Sequence, residues 1–211
     1  HGAGYCSVAP EGMGGLRGGF MLVKESFIYR QSIRINTPGH LHFYTFSCFK
    51  RLPLLTNDVW CGWLAESINH ARKKLEIDLW AYVFMPEHVH LLLKPRRESY
   101  RISEFMQLVK HPMARRVINS LKKVDSPLLK QLEVPQPNGF TSFAYWQAGG
   151  GHDINIWDKD KAIEKAEYCH RNPIKRGLVQ TADQWRWSSF RWIEMGAREN
   201  EPLTVDEWTD G

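Results

Sequence analysis

Cysteine is scarce in this chain, and its spacing excludes the common cysteine-based sites. The four cysteines are Cys6, Cys48, Cys61 and Cys169. No two of them form a CxxC pair, and their spacing matches neither a zinc ribbon nor a dense disulfide framework. We therefore expect reduced thiols, as in a cytosolic protein.

Long apolar runs are also missing. No segment approaches the roughly 20 consecutive apolar residues that a membrane-spanning helix needs, so no membrane partner is expected. The first residues, HGAGYCSVAPEGMGGLRGGFM, are rich in glycine and lack the apolar centre of a signal peptide. We interpret residues 1–34 as a flexible, glycine-rich tail and basic arm.

The charge balance is only modestly positive. The 28 Lys and Arg residues exceed the 23 acidic residues by enough to give a net charge of +5. This balance permits nucleic-acid binding without requiring it. Hydrophobic residues make up 43% of the 211 residues, which suits one domain with extensions. The nine tryptophans can fill a core or stack on unpaired bases.

The order of predicted elements indicates an α+β fold. Strands are predicted at 40–49, 78–85 and 88–94, and the last two are joined by a tight turn at Pro86 and Glu87. Helices are predicted at 57–75 and from Ser103 to about Leu121, followed by a short strand, FAYWQ, at 143–147. This is the β-α-β-β-α-β order of a ferredoxin-like antiparallel sheet with helices on one face.

Prolines mark the predicted interruptions. Pro112 should kink or split the second helix, and the proline-containing run 125–142 predicts a loop. A third helix fits 158–171 and should end at Asn172-Pro173, because a residue before proline disfavours the helical conformation. We therefore divide the chain into the tail, a main domain at 35–172, and a basic, Trp-rich C-terminal extension at 173–211 that packs on the domain.

The stretch PEHVHLLLKP, residues 86–95, places two histidines at the start of a predicted buried strand. Side chains alternate along a strand, so His88 and His90 face one side and Val89 faces the other. Two neutral imidazoles held close together can bind a divalent metal if a third ligand comes from elsewhere. The alternative is a pair of hydrogen-bonded structural histidines, which is the commoner case for an isolated His-x-His.

A second pair lies in EKAEYCHRNP, residues 164–173. Tyr168 and Asn172 are four residues apart and share one face of the third helix near its end. A phenol alone is a poor nucleophile, but a nearby metal helps it ionise and polarises a phosphate under attack. Alternatively, Tyr168 packs on the sheet and Asn172 caps the helix.

Three motifs, in this order, resemble one family. PEHVHLLL, YCHRNPIKRGLV at 168–179 and WRWSSF at 185–190 are similar to the motifs of the REP-associated tyrosine transposases, relatives of the single-tyrosine transposases of small bacterial insertion sequences. The resemblance covers roughly residues 35–193. It implies an HUH nuclease, in which U is a bulky apolar residue, here Val89, with a ferredoxin-like catalytic domain and an added C-terminal catalytic helix and tail.

The resemblance also implies roles for individual residues. His88 and His90 match the HUH pair that binds Mg²⁺ or Mn²⁺, and Tyr168 matches the catalytic nucleophile. Asn172 replaces a Gln that completes the metal site in the related insertion-sequence transposases, and Glu87 is the nearest carboxylate. The implied reaction is an attack of Tyr168 on single-stranded DNA, which forms a 5′-phosphotyrosine, releases a 3′-hydroxyl and is reversed to rejoin the strand.

Family members recognise DNA hairpins of REP-like palindromes and cut nearby single strand. The same partner is therefore expected here, for a monomer or homodimer in a bacterial cytoplasm, associated with the nucleoid. Basic side chains are the candidate phosphate contacts. They are Arg30, Arg34, Arg96, Arg97, Arg101, Lys110, Arg115, Arg116, Lys175, Arg176 and Arg186.

Two other functions stay open. A domesticated protein that binds DNA hairpins without cutting them would have the same fold, although the intact His88, His90 and Tyr168 argue against it. An RNA-binding module is the third hypothesis, since a ferredoxin-like sheet can stack bases on aromatic side chains. GGGHDINIW, residues 149–157, is either a plain turn or a source of supporting groups, His152 and Asp153.

Overall fold

The computed structural model of this chain describes residues 35–208. Its helices and strands are β1 (Leu41–Ser47), α1 (Asp58–Leu75), β2 (Ile77–Met85), β3 (His88–Pro95), α2 (Ile102–Lys123), α3 (Leu128–Gln131), β4 (Glu133–Pro135), β5 (Thr141–Phe143), β6 (His152–Ile156), α4 (Lys159–Lys175) and α5 (Phe190–Glu194). The predicted tail and basic arm, 1–34, lie outside the described residues. The proposed domain boundaries stay predictions.

A four-stranded antiparallel sheet lies at the centre, with the strand order β2-β3-β1-β6. The elements β1, α1, β2, β3, α2 and a fourth strand follow one another as expected, so the predicted α+β, ferredoxin-like fold is confirmed. No helix within the described range is long and apolar enough to cross a membrane.

The fourth strand is β6, and the prediction that residues 143–147 would form it is wrong. Tyr145 and Trp146 are buried in the core from a loop, so their apolar character reflects packing and not a sheet position. Gly151, directly before β6, allows that strand to lie close to β1. Its φ is +81°, and a Cβ at this position would collide with the carbonyl oxygen of Thr45 on β1.

Pro112 does not split the second helix, and the predicted end of the third helix at Asn172-Pro173 is wrong. Helix α2 continues through Pro112, which is exposed, so water can bond the carbonyl group that loses its N–H partner. Helix α4 continues through Pro173, and the backbone N–H of Arg176 donates to the carbonyl of Asn172, so helical bonding resumes after the proline. The predicted loop at 125–142 contains α3, β4 and β5.

Different helices cover the two faces of the sheet. Helices α1 and α2 pack on the face that carries Tyr44 and Leu91, within the larger core. Helix α4 packs on the other face, where Phe43 and Leu92 join the smaller core. Because side chains alternate along β3, His88 and His90 share the face of Leu92 and lie on the side of α4.

The segment after α4 returns to the sheet and lies along the outer edge of β2. The backbone N–H of Phe84 donates to the carbonyl of Trp187 at 2.8 Å, and the N–H of Ser189 donates to Tyr82 at 3.0 Å. Nearer the C-terminus, the N–H of Asp206 donates to the carbonyl of Leu79. These bonds cover backbone groups that a free edge strand would expose.

Candidate active site

The two histidines of β3 point their Nε2 atoms at each other. The Nε2 atoms of His88 and His90 are 3.0 Å apart, and both residues are buried. Their rings are nearly perpendicular, with centroids 4.7 Å apart. The face shared by His88 and His90, which the sequence predicts, is confirmed in this geometry.

The outer nitrogen of His88 is held by a carboxylate. Its Nδ1 lies 3.1 Å from Oε1 of Glu87, and the same oxygen accepts a hydrogen bond of 2.7 Å from Nη1 of Arg176. A carboxylate only accepts hydrogen bonds, so Nδ1 carries the proton and a neutral His88 has its lone pair on Nε2. Such a partner fixes the tautomer that a metal ligand needs.

The outer nitrogen of His90 contacts a hydroxyl. Its Nδ1 lies 2.8 Å from Oγ1 of Thr45, the residue directly opposite His90 in the pairing of β1 with β3. A hydroxyl both donates and accepts, so Thr45 accommodates either tautomer of His90. The ring of His90 also stacks on Phe43, with centroids 5.3 Å apart and planes 7° from parallel.

Burial keeps these imidazoles neutral. Burial, together with the nearby charges of His88 and Arg51, lowers the pKa of His90 to about 3. Burial also lowers the pKa of His88, although Glu87 opposes this shift. Burial raises the pKa of Glu87, but the bonds from Arg176 and His88 outweigh it and hold that pKa below its usual range.

The pair fits a metal ion as two neighbouring ligands. Two nitrogens 3.0 Å apart, each at a metal–ligand distance of about 2.1 Å, subtend an angle of about 90°, as in octahedral coordination. Within residues 35–208 no cluster of three His, Cys, Asp or Glu side chains could complete such a site. A third protein ligand must therefore be of another type.

Asn172 is a candidate for that ligand. It is buried, and its Nδ2 atom has no hydrogen-bond partner. An unpartnered buried N–H group is costly, so a bound water or another acceptor is expected at Nδ2, which leaves the amide oxygen as the atom that could bind a metal. The amide lies one helical turn after Tyr168 on α4, which packs on the histidine face. Its metal coordination stays a prediction.

Tyr168 lies beside the histidine pair within the same chain. Its ring centroid is 5.2 Å from that of His90 and 6.0 Å from that of Phe43, in edge-on contacts. The residue is 38% exposed, so an external substrate can reach it. The ammonium group of Lys175 lies 5.5 Å from the ring centre. The structure therefore brings together an accessible phenol, two converging imidazoles and one cation.

A model of the family described as "Transposase IS200 like" matches residues 39–133, which include both histidines. A candidate REP-associated tyrosine transposase of Haemophilus influenzae is 24% identical over 161 residues, which are 73% of this chain and 81% of that protein. Over residues 39–133 the chain is therefore similar to the IS200-like transposases.

One solved structure shares the fold of this chain, and a second is less similar. A REP-associated tyrosine transposase bound to a REP hairpin matches with a TM-score of 0.59 and 18% identity, over 86% of this chain and 94% of that one. A structure described as that of a transposase from Deinococcus radiodurans matches with a TM-score of 0.41 and 22% identity, over 61% of this chain and 86% of that one.

The predicted basic residues are spread over several parts of the fold. Lys175 and Arg176 lie at the end of α4, beside the candidate site. Helix α2, which carries Lys110, Arg115 and Arg116, covers the opposite face of the sheet. Of these five cations, Lys175 contacts the ring of Tyr168 and Arg176 pairs with Glu87, beside His88.

The remaining basic residues include two at the end of β3 opposite to the histidines. Arg96 and Arg97 follow β3 and pair with Asp78 and Glu76, at roughly 25 Å from the start of that strand. Arg101 precedes α2, and the guanidinium of Arg186 lies over the ring of Trp187. Arg30 and Arg34 fall outside the described residues. DNA contact stays a prediction for every basic residue named from the sequence.

Three residues on the histidine side of the sheet were missed by sequence reasoning: Thr45, Ser47 and Arg51. Thr45 and Ser47 lie opposite His90 and His88 in the register of β1 and β3. The sequence contains a signal for Thr45 and Ser47, because T-x-S has the same i, i+2 spacing as H-x-H. This spacing identifies them only if β1 is known to pair with β3, as it does in the predicted fold.

The two candidate supporting groups of the glycine-rich segment, His152 and Asp153, point to opposite faces of the sheet. Asp153 accepts hydrogen bonds from Nδ1 of His42 at 2.9 Å, on the face covered by α1 and α2. His152 lies opposite Thr45 in the strand register, on the histidine face, and is exposed. Asp153 is therefore a structural partner of a buried histidine, and His152 is the one that shares the face of the site.

A histidine of α4 gives the fold a measurable sensitivity to acid. Burial lowers the pKa of His170 to about 4, and its Nε2 lies 2.9 Å from Oγ of Ser189. The unfolded chain has a His pKa near 6.5 and binds more protons below that pH. The free energy of unfolding should therefore fall between pH 6.5 and 4, by roughly 1 kcal/mol per pH unit from this group.

Urea denaturation at a series of pH values measures this effect. His170→Gln keeps a side-chain N–H for Ser189 but cannot titrate, so its stability should depend less steeply on pH than that of the unmodified protein. Identical slopes for the two proteins would show that His170 is not the neutral, buried group described here.

Proposed function

We propose that this protein is a transposase that cleaves and rejoins single-stranded DNA beside a hairpin, with Tyr168 as the nucleophile and Mg²⁺ or Mn²⁺ as the cofactor. The observation that carries the proposal is the position of Tyr168, whose ring centroid lies 5.2 Å from that of His90. The hairpin is proposed as the partner because the solved relative with this fold is bound to a REP hairpin.

The metal would be held by Nε2 of His88 and Nε2 of His90, with Asn172 as the proposed third protein ligand. When bound, it would draw negative charge from a non-bridging phosphate oxygen and so make the phosphorus more open to attack. Glu87 orients the imidazole of His88 and Thr45 orients that of His90, in each case through a contact with Nδ1. The buried imidazoles stay neutral through the physiological range, so binding requires no deprotonation of His90.

Tyr168 carries out the bond exchange. Its hydroxyl oxygen attacks phosphorus while losing its proton, the bond from phosphorus to the 3′-oxygen breaks, and that oxygen leaves as a 3′-hydroxyl. The product is a 5′-phosphotyrosine. Lys175, 5.5 Å from the ring centre, favours the negative charge that develops on the phenol oxygen. Attack by a 3′-hydroxyl on the same phosphorus reverses the sequence and releases Tyr168.

A covalent-adduct assay tests this function. The recognised sequence is unknown, so labelled oligonucleotides should carry an imperfect hairpin with randomised single-stranded flanks. In Mn²⁺, a labelled band at the mass of protein plus DNA should survive denaturing electrophoresis, and EDTA should remove it. Sequencing of the trapped strands would identify the cut site.

Two outcomes would contradict the proposal. Hairpin binding without any adduct in Mg²⁺ or Mn²⁺ would favour a DNA-binding protein that does not cut. Equal or stronger binding of the same sequences as RNA, again without an adduct, would favour the RNA-binding hypothesis.

A further inference from the structure

Two consecutive residues just after β1 adopt a conformation that is unusual for their type. Lys50 has a φ of 52° and Arg51 a φ of 56°, which is the left-handed region that favours glycine. Neither residue is glycine. Conformations of this kind persist when the surrounding structure holds them, and they concentrate at functional sites.

Backbone hydrogen bonds connect the turn at Lys50 and Arg51 to the turn at Glu87, which precedes the histidines. The N–H of Cys48 donates to the carbonyl of Glu87 at 2.9 Å, and the N–H of Phe49 donates to Tyr145 at 2.8 Å. The N–H of Arg51 donates to the carbonyl of Cys48 at 3.0 Å. The position of Arg51 is therefore set relative to His88, the residue that follows Glu87.

The side chain of Arg51 extends over the histidine face. Its Nη1 donates a hydrogen bond of 3.0 Å to Oγ of Ser47, and Ser47 lies directly opposite His88 in the strand register. The charge of Arg51 is close enough to act on both His88 and His90. Lys50 points elsewhere, because its Nζ donates to the carbonyl of Gln131 at 3.3 Å.

Arg51 also differs from the other guanidinium group beside the site. Arg176 is neutralised by Glu87 at 2.7 Å. No carboxylate within residues 35–208 forms an ion pair with Arg51, which is exposed. A guanidinium without an acidic partner, next to two uncharged imidazoles, is suited to bind a phosphate through two parallel N–H groups.

We propose that Arg51 is a catalytic residue that binds the non-bridging oxygens of the phosphate under attack. It would do so from the β1 side, while Tyr168 approaches from α4. The charge on these oxygens is redistributed in the transition state, so the contact should accelerate bond exchange more than it tightens DNA binding. This role rests on the proposed function of Tyr168 and its metal site.

Glycine substitution separates this role from a structural one. Arg51→Gly removes the guanidinium and relieves the left-handed backbone, so its melting temperature should be equal to or higher than that of the unmodified protein. Its rate of adduct formation should fall by about 100-fold or more. Lys50→Gly is the matched control, because it relieves the same backbone conformation one residue earlier and should leave the rate unchanged.

Three further measurements complete the test. The Mn²⁺ affinity of Arg51→Gly without DNA should be equal to or higher than that of the unmodified protein, because Arg51 is not a ligand and its positive charge is removed. Hairpin affinity should change by no more than about threefold, since the contact acts mainly in the transition state. Arg51→Lys should recover only part of the lost rate, because an ammonium group cannot bind phosphate in a bidentate manner.

The outcomes are distinguishable. An undiminished rate in Arg51→Gly, with an active unmodified protein, would overturn the role of Arg51 and leave the nuclease proposal intact. A lower melting temperature or weaker Mn²⁺ binding in Arg51→Gly would show that the side chain is structural, and would also overturn it. Absence of any adduct in the unmodified protein and in Lys50→Gly would overturn both proposals.

Discussion

Tyr168→Phe should abolish the covalent DNA adduct, with a loss of about 10⁴-fold or more in the rate of its formation, because a phenylalanine ring has no oxygen to attack phosphorus. The edge-on contacts with His90 and Phe43 involve the ring alone and should survive the change. The variant should therefore fold and melt like the unmodified protein. Denaturing electrophoresis of labelled DNA in Mn²⁺ measures the adduct directly.

Tyr100→Phe is a suitable control for the loss of a tyrosine hydroxyl. Tyr100 lies 2.7 Å from Nε2 of His42, and both belong to the network that includes Asp153 and not to the histidine pair. This variant should form the adduct at a normal rate. A persistent adduct in Tyr168→Phe would mean that another residue is the nucleophile, and peptide mapping of the trapped complex would then identify it.

His90→Ala should remove Mn²⁺ binding almost completely. One of the two converging Nε2 atoms is lost, and the remaining imidazole of His88 cannot hold the ion without its neighbour. We expect the affinity to fall by about 100-fold or more, beyond the 10–100-fold typical of changes in outer-shell partners. Calorimetry or electron paramagnetic resonance in the absence of DNA measures it.

His170→Ala controls for the loss of a buried imidazole. His170 is as buried as His90, but it contacts Ser189 and Phe190 and not the histidine pair. Both variants should be destabilised, whereas Mn²⁺ should raise the melting temperature of His170→Ala and not that of His90→Ala. Equal Mn²⁺ binding by the two variants would contradict the metal site proposed for β3.

Much of the fold could be predicted because its elements have strong local patterns. The apolar periodicity of α1 and the apolar runs on either side of the Pro86-Glu87 turn place one helix and two strands within a residue or two of their observed ends. Prediction fails where packing outweighs local preference. Pro112 and Pro173 both lie inside continuous helices, and the apolar segment around Tyr145 fills the core as a loop.

The candidate site was only partly accessible from the sequence. The alternation of β3 is a local property, so the common face of His88 and His90 could be predicted. The outer partners could not be deduced in the same way. Thr45 meets His90 through a strand register that links residues 45 positions apart, and Arg176 meets Glu87 across 89 positions. Such contacts depend on how the elements pack, which no single motif encodes.

One carboxylate oxygen connects the two halves of the site. Oε1 of Glu87 bonds to His88 on the sheet and to Arg176 directly after the helix that carries Tyr168. The carboxylate therefore fixes the tautomer of the imidazole and, through its ion pair, ties the C-terminal end of that helix to the turn before β3. The proposed nucleophile and a proposed metal ligand thus share one point of attachment.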